Sequence, residues 1–435
     1  MIEIFNITII LLLNLLIFST PSFLKIEEIS KSNDDIFKIK ICFNLIFLLN
    51  IFLIISFIKI NFIYLLTFIL LINLIQLIIF YKNISTSKNI KYFYLILFLI
   101  SFVLSINLSV NLKLEWDASV NWIFKTLNFY NGFSFDNLNN IPGVAAYPHL
   151  GSFLWAFFWK ISIVNAEYIG RIVFLFLFAF SIILNSYKNK KSLSQNLIII
   201  ILVSALFYNQ NSFAGYQEGL MFSLIAILFF LINRTKDYKK INFINIFLIL
   251  LIINLLLWTK NEGFVWSFLI IGYTFFIINK KYDSKILLAI GFVILSIFKY
   301  LIFYKFFGEN LIGWKGYTFI PIDINFLMTV IERLPFIFNS IVKVFFKYPF
   351  LIIAFILLIT NISKKENKIL LFFFIANIVI TSSIFLFTDN TKWQFHTNVG
   401  LDRMIYQTSG FYIYIISNFF HNTMGKIRIG GNGKY

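Results

Sequence analysis

Two carboxylates flanking one tryptophan, Glu115-Trp116-Asp117, open the richest polar segment of the chain, which continues through Ser119, Asn121, Trp122 and Lys125. The segment follows directly on an apolar run, so both carboxylates stand where a helix would leave a membrane, a setting suited to a general base. A helix over 117–129 would place Asp117 and Asn121 on one face, with Lys125 one turn further on. Further ionisable groups border later apolar runs, in Gly215-Tyr216-Gln217-Glu218-Gly219, in Trp258-Thr259-Lys260-Asn261-Glu262-Gly263 and in Asp402-Arg403. Tight turns need Gly and Asn but not Glu218 or Glu262, and an ionised carboxylate beside an apolar run is costly. Arg403 is suited to a fork-like grip on a phosphate at a membrane surface, and a snorkelling structural arginine accounts for it equally well on local grounds.

Other chemistries lack their residues. His149, His396 and His421 do not have metal-ligand spacing, and there is no His-Glu-x-x-His. Walker A and Rossmann glycine patterns are missing, as is a serine in Gly-x-Ser-x-Gly, so ATP-driven transport, dinucleotide chemistry and a hydrolase elbow are unsupported. The single cysteine, Cys42, cannot form an intramolecular disulfide and reads as a lipid-facing or packed residue.

These groups need elements to hold them. Of the 435 residues, 60% are hydrophobic and 13% charged, with mean hydropathy +0.85, against roughly 25% charged in a soluble domain, which excludes a soluble globular protein. Apolar runs near 4–20, 41–58, 62–80, 92–112, 168–186, 197–210, 217–233, 242–258, 263–279, 286–305, 348–362, 368–387 and 408–420 predict an all-α bundle of about 13 spans. The six prolines fall outside these runs or in their first turn. The first run lacks a basic leader and a small-residue cleavage site and reads as a retained span.

Alternate connections are basic, with Lys82, Lys88 and Lys91; Lys188, Lys190 and Lys191; Arg234 to Lys240; Lys280 to Lys285; Lys364 to Lys368; and a tail carrying Lys426, Arg428 and Lys434. The positive-inside rule makes that face cytoplasmic and absorbs nearly all of the net charge of +18, so no nucleic-acid partner is needed. The long connections 113–167, 306–347 and 388–407 then lie outside. Within the first, 148–164 is apolar enough to span, but a crossing there would invert every later basic loop. An interfacial or half-inserted helix is expected instead, with Trp155 to Trp159 and Lys160 at the membrane surface. Residues 336–347 read as a second surface helix.

In order, Glu115-Trp116-Asp117, Trp122-x-x-Lys125, Tyr147-Pro148, Gly170-Arg171, Gly215-Tyr216, Lys260-Asn261-Glu262-Gly263 and Asp402-Arg403 resemble the motifs of the GT-C superfamily of polytopic glycosyltransferases. That superfamily includes protein mannosyltransferases and bacterial lipid A aminoarabinose transferases. The likeness covers roughly 113–410, with Tyr147-Pro148-His149 in place of a double proline and Gln217-Glu218 where an aspartate is common. It implies a membrane catalytic core in 92–425 of a bacterial inner-membrane protein; the transmembrane helices in 1–91 extend beyond the usual start of that core, and the basic tail in 426–435 falls on the cytoplasmic face. It also implies a polyprenyl-phosphate sugar donor and inverting transfer to a glycan, lipid or protein acceptor on the extracytoplasmic side. By the same resemblance Asp117 is the base, Arg403 with Lys260 or Arg171 steadies the departing phosphate, and Lys125, Tyr147, Glu218, Glu262 and Asp402 position substrate. Glu115 would bind sugar, hold Asp117 or share a divalent cation with it.

Two alternatives stay open. An O-antigen polymerase or ligase would depend on outer-loop arginines instead of Asp117, and a transporter or flippase would place polar groups at the midplane. The orientation itself is testable: Ser192→Cys in a chain lacking Cys42 should react only from the cytoplasmic side. Labelling of that cysteine in intact cells by a membrane-impermeant reagent would invert the core.

Overall fold

The structure, a computed structural model, describes residues 2–22, 33–86, 88–141, 147–189, 191–235, 243–277, 282–308, 318–320, 326–389 and 392–431. The basic stretches 236–240 and 280–281, together with Lys190, Pro142, Pro321 and Lys434, lie outside the described residues. The chain is helical: α1 (Ile2–Phe18), α2 (Asn33–Ile55), α3 (Phe62–Thr86), α4 (Lys88–Val110), α5 (Ile123–Tyr130), α6 (Leu150–Lys160), α7 (Glu167–Ser186), α8 (Leu193–Phe207) and α9 (Glu218–Thr235). There follow α10 (Phe243–Thr259), α11 (Gly263–Ile277), α12 (Tyr282–Phe307), α13 (Phe326–Lys347), α14 (Pro349–Thr360), α15 (Lys365–Phe387), α16 (Trp393–Thr408) and α17 (Tyr412–Gly431). One antiparallel bridge, Thr318–Phe319 against Thr388–Asp389, is the only strand pairing among the described residues.

A helix occupies each expected apolar run. Among the described residues six segments, within α2, α3, α4, α7, α12 and α15, are long and apolar enough to cross a membrane. The pair α13 and α14, bent by 94°, makes a seventh if taken together. On its own α14 is shorter than the run expected at 348–362: its 12 residues reach about 18 Å, short of a hydrocarbon core of about 30 Å. Large apolar side chains face outward on α3 (Ile63, Phe68, Leu71, Ile75) and α12 (Ile290, Ile294, Ile297, Leu301), the arrangement hydrocarbon surroundings require.

The core is organised around α7, buried from Tyr168 to Ser186, with α1, α4, α6, α8, α9 and α17 packed around it. The first three helices join this body: α1 contacts α4 and α7, and α2 contacts α6 and α10. Cys42 is buried.

Two expectations for the long connections change. The helix in 148–164 is only the 11 residues of α6, too short to span, and its side chains from Leu150 to Phe158 are buried in protein. Gly170 allows this, because a Cβ there would lie 2.3 Å from the Trp155 carbonyl oxygen, so α7 seats α6 backbone to backbone. Trp155, Phe157 and Phe158 therefore fill the interior and do not line a membrane surface. The helix expected at 336–347 begins at Phe326 and takes Pro335 inside it. Its buried face carries Arg333, Ile337, Ser340 and Val344, and Arg333 Nη1 donates to the carbonyl oxygens of Phe385, Leu386 and Thr388, closing the end of α15.

Candidate functional site

The chain leaving α4 is fixed from below before it reaches the acidic pair. Arg171 of α7 is buried, its Nε 3.0 Å from Glu167 Oε1, and its Nη2 donates to Glu167 Oε2 and to the Leu112 carbonyl, both at 3.1 Å. Beyond it the Glu115 amide donates to Ala214 O at 3.1 Å. The segment before α9 can come this close because residue 215 is glycine. Its φ is +90°, and a Cβ would fall 2.7 Å from Ala118 Cβ and 2.9 Å from Leu114 Cδ2. This contact brings Tyr216, Gln217 and Glu218 beside Asp117.

After Asp117 the backbone forms a π-helical turn, Ala118–Trp122, closed by the Ile123 amide on Ala118 O. The turn breaks the four-residue stacking expected of 117–129, so Asp117 and Lys125 part company. Lys125 is buried; its ammonium donates to the Tyr147 carbonyl and lies 5.6 Å from the Trp122 ring centroid and 5.8 Å from that of Tyr147. Burial holds its pKa well below the ordinary lysine value. Beside it His149 bonds Ser56 Oγ through Nε2 at 2.6 Å and sits among the rings of Phe57, Phe129, Phe135 and Trp258. Lys125 and Tyr147 thus meet one another in an aromatic chamber.

That cluster joins four separate elements. Glu218, in the first turn of α9, has a side chain with 0% exposure, and its Oε1 accepts from Arg403 Nη2 at 2.6 Å, Arg403 Nε at 2.9 Å and Lys260 Nζ at 3.0 Å. Arg403 Nη1 donates to Asp117 Oδ2 at 2.6 Å, and its guanidinium lies 3.8 Å from the Tyr216 ring centroid. Lys260, in the turn between α10 and α11, also reaches Glu262 Oε1 at 3.3 Å. Asp402 accepts from Lys347 at the end of α13 and from the Arg403 amide. Glu115 stands apart, 3.9 Å from Lys113.

Burial by itself would lower the pKa of Arg403, but Glu218 and Asp117 outweigh it and the guanidinium is held above its ordinary value. Lys260 behaves alike: burial opposes its charge, Glu218 and Glu262 overrule burial, and its pKa is raised. Both side chains are therefore held in their charged forms. Glu218 Oε2 and Glu262 Oε2 are buried acceptors with no hydrogen-bond partner among the described residues, and either could take a hydroxyl.

Five residues singled out from the sequence therefore converge, namely Asp117, Glu218, Lys260, Glu262 and Arg403. Asp402 adjoins them, while Glu115, Lys125, Tyr147 and Arg171 lie outside the network. For Arg171 the Glu167 four residues earlier is the reason, and that spacing is visible in the sequence. Tyr216, Lys347 and His396 were not assigned roles by sequence. Lys347 and Tyr216 touch the cluster, and His396, two turns before Arg403 on α16, is close enough to feel the Asp117 charge, although burial keeps its pKa below the ordinary value. Only spacing on α16 could have pointed to His396.

Among the described residues no three of His, Cys, Asp and Glu come together at a metal-binding distance, and Glu115 and Asp117 engage different cations, Lys113 and Arg403.

No family model, no curated protein and no solved structure matches the chain.

The weight of the cluster falls on the buried carboxylate. Glu218→Gln removes the buried counter-charge that Arg403 and Lys260 share, leaving them only Asp117 and Glu262, and should destabilise the protein by about 3–5 kcal/mol. In detergent, its thermal unfolding midpoint should drop well below that of Glu115→Gln, which removes an outlying carboxylate. Equal midpoints would show that the buried contacts do not hold the fold.

Proposed function

We propose that the chain is an integral membrane glycosyltransferase of the GT-C kind, moving a sugar from a polyprenyl-phosphate donor to a glycan, lipid or protein acceptor, with inversion. The observation that carries this reading is the meeting of Asp117 with Arg403, 286 positions apart, on a platform of Glu218 and Lys260. A partly exposed carboxylate beside two permanent cations is the pairing such a transfer needs. The acceptor oxygen attacks the anomeric carbon and its proton passes to Asp117. The bond from that carbon to the phosphate oxygen breaks, and the electron pair stays on the phosphate, where Arg403 and Lys260 stabilise it. The unpartnered oxygens of Glu218 and Glu262 would accept sugar hydroxyls. Arg171 acts at one remove by bracing Leu112, and Asp402 by holding Lys347.

In this reading the helices form about 13 spans, and the basic connections face the cytoplasm of a bacterial inner membrane. The cluster then opens on the extracytoplasmic side, where the donor's hydrocarbon can remain in the bilayer while its phosphate and sugar occupy the site. A polymerase or ligase acting on polyprenyl diphosphates is the second reading, favoured by the central place of Arg403. A transporter is disfavoured because Asp117, Glu218 and Lys260 stand at helix ends.

Asp117→Asn preserves size but cannot accept the proton. With a panel of polyprenyl-phosphate sugars and a defined acceptor, turnover should fall by about 10²-fold or more while donor binding persists. Near-normal transfer by Asp117→Asn would remove the base assignment, and inactivity of Arg403→Ala alongside it would put the polymerase or ligase reading first.

A further inference from the structure

The contacts of Arg403 are unequal in a way that bears on how the site is switched on. A guanidinium offers two edges for a bidentate partner, one made by Nε and Nη2 and the other by Nη1 and Nη2. Glu218 Oε1 occupies the first edge, at 2.9 and 2.6 Å, and is itself buried and held by Lys260. Asp117 Oδ2 occupies the second through Nη1, at 2.6 Å, from a side chain 29% exposed. Stacking on Tyr216 covers a face of the guanidinium, which leaves in-plane approach to the second edge as the route by which an oxyanion can gain two hydrogen bonds. That edge is the one Asp117 holds.

We infer that Asp117 and the phosphate of a lipid-linked donor compete for the Nη1 edge of Arg403, so that donor binding itself releases the base. The inference rests on the proposed function. Glu218 keeps the guanidinium in place throughout, and the exchange needs only the more exposed of its two carboxylates to let go. Before donor arrives, Asp117 is occupied by the arginine and is not presented to an acceptor hydroxyl. Once the phosphate takes Nη1, the carboxylate is free beside the anomeric carbon. Binding is then ordered, donor before acceptor. By reciprocity the resting contact must weaken donor binding by the factor with which donor binding frees Asp117.

This reverses the usual expectation for a catalytic substitution, since losing the base should improve donor binding. The test measures the affinity of the full-length protein in detergent for farnesyl phosphate, a short isoprenyl phosphate without sugar. Asp117→Ala should lower its Kd by about 5-fold or more, the lower end of ordinary coupling between two sites. Asp117→Asn should lower it less, because an amide oxygen can still accept from Nη1. Glu115→Gln removes the same charge from the same segment without touching Arg403 and should lower the Kd by less than either Asp117 variant. A Kd unaltered or raised in both Asp117 variants overturns the competition while leaving the donor reading intact. Equal tightening by Glu115→Gln overturns it too, by assigning the effect to general electrostatics. Absence of binding to every protein, with unfolding midpoints unchanged, would remove the phosphate-donor reading itself and the competition with it.

Discussion

Glu218 carries a carboxylate into a place with no access to solvent, and the charge is tolerable there only because Arg403 and Lys260 reach it from two other elements. The geometry of the site follows from that demand. It joins α9 to the α10–α11 turn and to α16, and Arg403, once held along one edge, extends its remaining nitrogen to Asp117 beyond α4. Three stretches distant in sequence are joined by one oxygen atom, and Arg403 adds the fourth. The ion pairs contribute less to net stability than to specificity, since an apolar core of similar volume would hold the helices as well. They make one arrangement of these four stretches much better than its neighbours.

Backbone geometry does the finer positioning. Gly215, at positive φ, brings the Tyr216–Glu218 strip against Leu114 and Ala118, and the π turn after Asp117 separates that carboxylate from Lys125. Arg171 and Glu167 fix the Leu112 carbonyl at the start of the same segment. The acidic segment is thus clamped on both sides, while Asp117 remains the more exposed of the two carboxylates that hold Arg403.

The helical architecture was legible because long apolar runs punctuated by charge have few other meanings. The candidate site was partly legible for the opposite reason: Glu218, Glu262, Lys260 and Arg403 stand where charge is costly, so each needed a partner. Which partner it had was not written locally, since Asp117 and Arg403 lie 286 positions apart and meet only once the bundle has closed. Lys125 was placed with Asp117 on the assumption of ordinary helical periodicity, and a single π turn defeats that assumption. The aromatics of α6 suited a membrane surface by composition, yet composition does not distinguish lipid from the packed rings and carbonyls of a neighbouring helix. Glu167 could have been paired with Arg171 from spacing alone, and that pairing turns a candidate phosphate ligand into a brace.

Glu218 and Arg403 act as one unit in the folded protein. The most direct measurement is a double-mutant cycle on unfolding in detergent, comparing Glu218→Gln, Arg403→Gln and the two combined. If the pair is joined as described, removing both partners is less damaging than the two single losses added, with a coupling of at least about 1 kcal/mol. Additive losses, agreeing within about 0.5 kcal/mol, would mean that the two side chains do not share a buried contact and would contradict the account.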